Sequence, residues 1–158
     1  MKIMFAALAA LALGASGCGG SASAEDFQGL YIGSGTTVFT SSDGEKFNNR
    51  YTPWSESLSA SVSSEKILFA GFCRQTGTVT GDRTFTLDPN LCNLGEGDVG
   101  SGVTCQERDE LKSGTGTLSE DGKRLDLKYV GEYARSNCSD PRYNEVYQYD
   151  TSVALNRQ

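Results

Sequence analysis

Cysteine is the residue type in this 158-residue sequence whose spacing points most directly to chemistry. There are five cysteines: Cys18, Cys73, Cys92, Cys105 and Cys138. No two are spaced as Cys-x-x-Cys, so the sequence does not indicate a zinc site or a thioredoxin-like redox pair. Cys18 stands alone near the N-terminus, which leaves an even number in the rest of the chain. In an exported protein those four cysteines predict two disulfides.

The N-terminal sequence indicates that the chain is exported. Lys2 precedes an eleven-residue apolar run, residues 3–13, which is too short to span a membrane and is typical of a signal peptide. A few small residues then lead to Cys18. This arrangement resembles the lipobox of bacterial lipoproteins, with Ala15 where that family prefers leucine. The resemblance implies that residues 1–17 are a removable signal peptide and that Cys18 is the lipid-attachment residue.

The same resemblance predicts the location of the mature protein. Residues 18–26 form the lipidated cysteine and a flexible linker of mostly small residues, and residues 27–158 form the globular domain. No acidic residue directly follows Cys18, which in this family favours the outer membrane, on its periplasmic side or at the cell surface. The alternative is an ordinary secretory signal that is cut near Ala22 or Ala24 and leaves no anchor.

Charge and the absence of histidine restrict the possible functions. The chain has 14 basic residues, 20 acidic residues and no histidine, so loss of Lys2 leaves 13 against 20, a net charge of −7. A negative surface repels phosphate backbones, so we expect no nucleic-acid partner. Without histidine the chain lacks the usual general base and the commonest transition-metal ligand. We therefore assign no catalytic residue, no metal site and no cofactor.

Two polar patterns resemble binding motifs, but each has a plainer interpretation. Residues 95–100 match the letters GxGxxG, yet no helical pattern follows, and the two carboxylates among them would repel a phosphate. Asp88, Asn90, Glu96 and Asp98 could supply oxygen atoms to Ca²⁺, but their spacing is not that of an EF-hand. An exposed acidic loop is the expectation for both.

Tyrosines near the C-terminus share one face of the predicted strands. Those that we predict to line a ligand cavity are Tyr129, Tyr133, Tyr147 and Tyr149. Eight strands enclose an interior just wide enough to be filled by side chains, so simple packing of these rings is the alternative. Glu56 and Glu145 interrupt apolar strand faces; each could mark a site if buried, although a place at the rim, in water, is more usual.

Apolar and polar residues alternate in about eight segments, as in half-buried strands. The predicted strands are residues 29–39, 54–62, 66–73, 76–80, 84–87, 111–119, 124–133 and 143–155. Residues 40–53 and 93–104 lack this alternation and are predicted to be loops. Eight antiparallel strands joined by tight turns close most simply into an up-and-down barrel, with a β-sandwich as the alternative. The opening Gly29-Leu30-Tyr31 resembles the first strand of a lipocalin-type barrel, with Tyr31 in the place of that family's tryptophan.

One hairpin can be placed in register from its turn. Asp-Gly at residues 121–122 is typical of a two-residue hairpin turn. Centring the turn there places Leu118 opposite Leu125 and Gly114 opposite Tyr129. The same register brings the segments around Cys105 and Cys138 together, which predicts a disulfide between these two residues.

The other two cysteines are brought together by a second turn. Centring it between Asp82 and Arg83 pairs Cys73 with Cys92. A three-residue turn would place Val79 opposite Phe85 and shift Cys73 by one position. The rival disulfide pattern joins the cysteines at positions 92 and 105, and those at 73 and 138.

Together these features predict a non-enzymatic envelope lipoprotein that binds a small apolar molecule inside its barrel. The alternative is a surface interaction or inhibitor protein that binds another protein through the loops at residues 40–53 and 93–104. Its size, acidity and disulfides resemble those of envelope lipoproteins that inhibit basic lysozymes.

Overall fold

Nine antiparallel β-strands form the fold in the computed structural model, which describes residues 22–60 and 66–158. They are β1 (Gly29–Thr40), β2 (Lys46–Ala60), β3 (Lys66–Phe69), β4 (Thr76–Gly81), β5 (Thr84–Leu87), β6 (Asn90–Asp98), β7 (Thr104–Leu118), β8 (Arg124–Ser136) and β9 (Glu145–Arg157). Short 3-10 helices span Ala24–Phe27, Phe72–Arg74 and Pro141–Tyr143. Among the described residues, no helix has the length and apolar character needed to cross a membrane.

Eight of these strands form a closed hydrogen-bonded ring. Its order is β5, β4, β3, β2, β1, β9, β8 and β7, and β7 pairs back with β5. The sixth strand pairs with β7 beside this ring. Most neighbours in the ring are consecutive in the chain and all pairs are antiparallel, which confirms the predicted all-β, antiparallel fold. Closure gives the strands of the ring a partner on each side and so removes exposed edges.

Strands β5 and β6 are two halves of one strand that is interrupted at Pro89. Leu87 lies opposite Gly114, and Asn90 lies opposite Leu111, so both halves keep the same register against β7. Proline has no backbone N–H and cannot continue the hydrogen-bonded ladder. The neighbouring β4 pairs with β5 before the interruption, and β6 continues past it along β7.

Both segments that were predicted to be loops are largely strand, so that prediction is wrong. β2 begins at Lys46, within the first segment (residues 40–53), and β6 covers much of the second (residues 93–104). β7 also begins at Thr104 instead of residue 111. These hairpins extend beyond the packed core, where neither face requires a row of apolar residues, and the alternation that marks half-buried strands is therefore absent.

A packed core closes one end of the ring. The largest fully buried side chains include Phe27, Tyr31, Ile67, Phe85, Leu125 and Leu155. The 3-10 helix Ala24–Phe27 packs at this end, where the ring of Phe27 meets that of Phe85 edge-on at 5.1 Å. The Tyr31 hydroxyl donates to the Phe27 carbonyl over 3.0 Å and accepts from Nε of Arg157, also over 3.0 Å. The buried hydroxyl is thus fully used in holding this end closed.

The β7–β8 hairpin has the predicted register next to its turn. Leu118 pairs with Leu125, and Gly114 pairs with Tyr129. Beyond Leu111 a bulge shifts the pairing by one residue. A bulge inserts one extra residue into one strand, and the sequence pattern does not reveal where it falls.

The β4–β5 hairpin follows the register of the three-residue turn over most of its length. Val79 lies opposite Phe85, whereas Gly81 lies opposite Thr84 after a shift in the pairing. Centring the turn between Asp82 and Arg83 is therefore wrong for the outer part of this hairpin. Directly opposed residues share a face of the sheet, and this register places Val79 with the buried ring of Phe85 on the inward face.

The structure contains the two predicted disulfides, Cys73–Cys92 and Cys105–Cys138. Their Cα atoms lie 5.6 Å and 4.0 Å apart, respectively. The first fastens β6 to the 3-10 helix Phe72–Arg74, and the Asn90 amide donates to the Cys73 carbonyl over 2.9 Å beside it. The second packs with Val103 in a small core of its own next to the turn of the β6–β7 hairpin.

Candidate functional site

A cavity of about 440 Å³ lies inside the ring, away from the packed core. Strands β1, β2, β7, β8 and β9 supply its walls. The lining residues with aromatic rings are Phe39, Phe47, Tyr51, Trp54, Tyr129, Tyr133, Tyr147 and Tyr149. Phe47 and Tyr51 are 43% and 42% exposed, so the cavity reaches the protein surface at its outer edge.

All four tyrosines that the sequence singled out line this cavity. They lie at even spacings on β8 and β9, which directs them to the same face of the sheet. Tyr129 and Tyr149 meet edge-on with ring centroids 6.2 Å apart, and Tyr133 stacks on Tyr147 at 6.2 Å. The rings pack against one another and also border open space, so the interior is not filled throughout.

Two glycines make room for aromatic rings that line the cavity. A Cβ atom at Gly131 would lie 2.2 Å from the hydroxyl oxygen of Tyr149. A Cβ atom at Gly35 would lie 2.6 Å from the ring of Trp54. Both separations are far below van der Waals contact, so the shape of the cavity depends on strand positions that carry no side chain.

Asp109, on β7, lines the cavity and was not singled out from the sequence. The Tyr149 hydroxyl donates to its Oδ1 atom over 2.7 Å. Burial raises the pKa of the Asp109 carboxyl because its ionised form is poorly solvated there, and the hydrogen bond from Tyr149 opposes part of this effect. Strand alternation could have identified Asp109, because side chains alternate between the two faces of a strand. Asp109 is an even number of residues from the buried Cys105 and Leu111 in β7 and therefore lies on the same face.

The phenols at the inner end of the cavity remain protonated at neutral pH. Burial, followed by the hydrogen bond to Asp109, raises the pKa of Tyr149 well above its usual value. Burial and the nearby charge of Glu56 do the same to the pKa of Tyr129. Beside them, the hydroxyl oxygens of Thr37 and Thr151 are 2.9 Å apart and hydrogen-bonded. The inner wall therefore combines aromatic faces with neutral hydroxyl groups.

A second cavity of about 280 Å³ adjoins the first. The two share Asp109, Tyr129 and Tyr149 as lining residues. Glu56 lies in the second cavity and accepts a hydrogen bond from Nε1 of Trp54 over 2.8 Å. Burial raises the pKa of the Glu56 carboxyl. The rim position that we considered more usual for this residue is therefore wrong: Glu56 is half-buried and points inward.

Arg135 lies near the outer edge of the larger cavity. Its guanidinium carbon is 5.4 Å from the centre of the Tyr133 ring and 6.0 Å from that of Tyr147. Its Nε atom lies 3.6 Å from a carboxylate oxygen of Glu107, an ion pair. Tyr147 donates to Glu145, and burial together with this bond raises the pKa of Tyr147 to about 12. Glu145 thus belongs to the polar surroundings of the cavity entrance.

The other candidate motifs lie on strands and turns in the described part of the chain. Residues 95–100 end β6 and begin the turn to β7, and no helix follows them. Asp88 instead holds β3 and β4 together through Lys66 at 2.8 Å, Thr76 at 2.6 Å and Thr78 at 2.8 Å. No group of three or more potential metal ligands is found among the described residues.

The predicted signal peptide and Cys18 lie outside the described residues. Comparison of the chain with protein-family models, curated proteins and solved structures gives no match.

Proposed function

We propose that this protein is an exported, lipid-anchored envelope protein that binds a small organic molecule with an apolar, ring-containing body and performs no catalysis. The observation that carries the proposal is the cavity of about 440 Å³ bordered by eight aromatic side chains. Small-molecule sites are typically concave and mostly apolar, with a few polar groups that orient the ligand. Asp109, Thr37 and Thr151 are polar groups of this kind.

The cellular part of the proposal is supported by the N-terminal sequence and by the disulfides. Residues 3–13 and Cys18 have the order of a lipoprotein signal. The pairs Cys73–Cys92 and Cys105–Cys138 support export, since such bonds are typical of compartments where thiols oxidise and rare in the cytosol. Two or more acyl chains on Cys18 would hold the protein firmly at a membrane.

Binding of a neutral dye tests the cavity. We expect the full-length chain, produced in a bacterium and purified in a mild detergent, to bind N-phenyl-1-naphthylamine with enhanced dye fluorescence. Asn49→Trp places a large ring at a lining position and should weaken binding at least about tenfold. Asn48→Trp is the matched control, because Asn48 is exposed and lies outside the set of lining residues.

The outcome separates cavity binding from surface adsorption. A loss of affinity confined to Asn49→Trp supports the proposal. Absence of dye binding by the unmodified chain, or an equal effect of the two substitutions, overturns it. Native mass spectrometry of protein extracted from its own host should also show a retained small molecule that Asn49→Trp protein lacks.

A further inference from the structure

We propose that the ligand carries a cationic amine beside its ring-containing body and that Asp109 selects it. This inference rests on the proposed function, since it names the chemical class that the same cavity accepts. Its basis is a carboxylate at the inner end of an aromatic cavity that makes no ion pair among the described residues.

The carboxylate of Asp109 retains a free acceptor. Tyr149 donates to Oδ1, and no other hydrogen bond or ion pair to this carboxylate is found among the described residues. No side-chain oxygen of the described residues is both fully buried and without a partner. The Oδ2 atom of Asp109 therefore keeps some accessible surface, and because this residue lines the cavity, an ammonium group bound there could donate to it.

Aromatic rings near Asp109 provide further attraction for a cation. Tyr129 and Tyr149 line both cavities together with Asp109. Tyr51 and Trp54, both on β2, meet edge-on in one wall of the larger cavity, with ring centroids 5.2 Å apart. A cation over the face of such a ring is attracted by the quadrupole of the ring, most strongly when water is excluded.

The charge balance of the interior favours a cation over an anion. Arg135 is the one positively charged residue among the described residues that line the larger cavity, and it is already paired with Glu107. Asp109 and Glu56 have no such partner among the ion pairs of the described residues. Burial raises the pKa of both carboxyls, which means that the empty cavity disfavours their ionised forms. A bound cation would stabilise these ionised carboxylates.

Three probes of nearly equal size test this inference. They are 1-naphthylmethylamine, which is cationic at pH 7.5, 1-naphthylmethanol, which is neutral, and 1-naphthoic acid, which is anionic. Calorimetric titration of the full-length protein should give an amine affinity at least about tenfold above that of the alcohol, because a hydrogen bond to a charged partner is the stronger kind. The acid should bind more weakly than the alcohol.

The variant Asp109→Asn keeps the size of the side chain and removes its charge. It should lower the affinity for the amine at least about tenfold and bring the amine-to-alcohol ratio close to one. Glu110→Gln is the matched control, since it removes a charge from the next residue, which lies on the opposite face of β7. The control should keep the preference for the amine, and circular dichroism with thermal melting shows whether both variants are folded.

Each result has one meaning. Three results would overturn the inference: equal affinities for amine and alcohol, a preference for the amine that survives Asp109→Asn, or tightest binding of the acid. If the neutral dye still binds in any of these cases, the proposed cavity function remains in place. If neither the alcohol nor the neutral dye binds, the proposed function fails and this inference fails with it.

Discussion

Asp109 shows a conflict between stability and binding at the scale of a single residue. Its carboxylate lies among aromatic rings, with one phenol as its hydrogen-bond donor among the described residues. Taking an ionised carboxylate out of water costs free energy unless a partner compensates for it. Residues held in such an unfavourable environment are concentrated at functional sites, and this is consistent with a place for Asp109 in ligand recognition.

The stability of Asp109→Asn should depend on pH. The folded-state pKa of Asp109 is raised, so its ionisation destabilises the fold. This cost is fully present at pH values above the folded-state pKa, shrinks as the pH falls through it, and is gone below the ordinary pKa of an aspartate in the unfolded chain. At pH 7.5 the variant should be more stable than the unmodified protein, by an amount that the access of water to the cavity reduces. Urea unfolding at pH 7.5 and pH 4 measures this difference.

The change with pH is what distinguishes this mechanism from altered packing. Tyr149 on β9 and Tyr129 and Tyr133 on β8 surround or flank Asp109, and their phenols stay protonated throughout this range. Cys92 lies opposite Asp109 on β6 and is held in a disulfide, so it does not titrate. Glu56 lines the smaller cavity with Asp109 but is present in both proteins, so its titration largely cancels from the difference. A stability gain of the same size at both pH values would contradict the explanation. Glu110→Gln controls for the loss of one negative charge.

Hairpins longer than the core are the main feature at the scale of elements. The ends of β1 and β2 project past the packed region and supply Phe39, Phe47 and Tyr51 to the outer wall of the cavity. Strand β6 leaves the neighbourhood of β4 at Pro89, where the Cys73–Cys92 disulfide fastens it. Because both half-cystines line the smaller cavity, this disulfide also helps to shape the interior.

Removal of the Cys73–Cys92 disulfide should affect both stability and binding. In the loop-entropy model, replacement of both residues by serine lowers the free energy of unfolding by about 3 kcal/mol. We also expect weaker dye binding, because the two residues line the smaller cavity. Urea unfolding and titration with N-phenyl-1-naphthylamine measure the two effects.

The double serine variant at Cys105 and Cys138 is the natural comparison. It should be destabilised by about 3–4 kcal/mol, yet these residues line neither of the two cavities described above. Under conditions in which both variants are fully folded, its dye affinity should match that of the unmodified protein. Equal losses of affinity in the two variants would show that stability alone, and not the local shape, controls binding.

The two ends of the whole molecule differ, and under the proposed lipid anchoring this difference sets its orientation at the membrane. The described chain starts beside the packed end, where Ala24 and Phe27 are buried, whereas the exposed rings of Phe47 and Tyr51 mark the other end. A lipid on Cys18 would be joined to Ala22 by only a short tether, about 14 Å when fully extended. The anchor would then hold the closed end near the membrane and leave the cavity entrance facing away from it.

Substitution of Cys18 tests the anchor. In the native host, Cys18→Ala should move the protein from the detergent-extracted membrane fraction to the soluble fraction, because the site of acylation is lost. Intact mass spectrometry of the unmodified protein should give a chain that begins at residue 18 and is heavier than its polypeptide by the attached lipid. A membrane protein that retains Met1, or a variant that stays in the membrane, would contradict the proposal.

Local patterns were sufficient to predict much of this fold. The Asp-Gly turn at residues 121–122 set the register of Leu118 and Leu125, and the even spacing of the four tyrosines placed them on one face. The same reasoning failed at residues 40–53 and 93–104 and at the bulge after Leu111. Alternation reports burial on one side of a strand, so it cannot detect strands whose two faces both meet water or an open cavity.

The sequence by itself determined the fold class and which tyrosines share one face, because these depend on residue type, turn chemistry and a two-residue period. It favoured the two disulfide pairs but left a rival pattern open, and tertiary structure decided between them. Tertiary structure alone decided that the interior is partly hollow and that Asp109 and Glu56 lie within it. The reason is physical. Whether side chains fill or merely line an interior depends on how strands far apart in the chain close around them, and burial that results from this closure is what raises the pKa of a carboxyl.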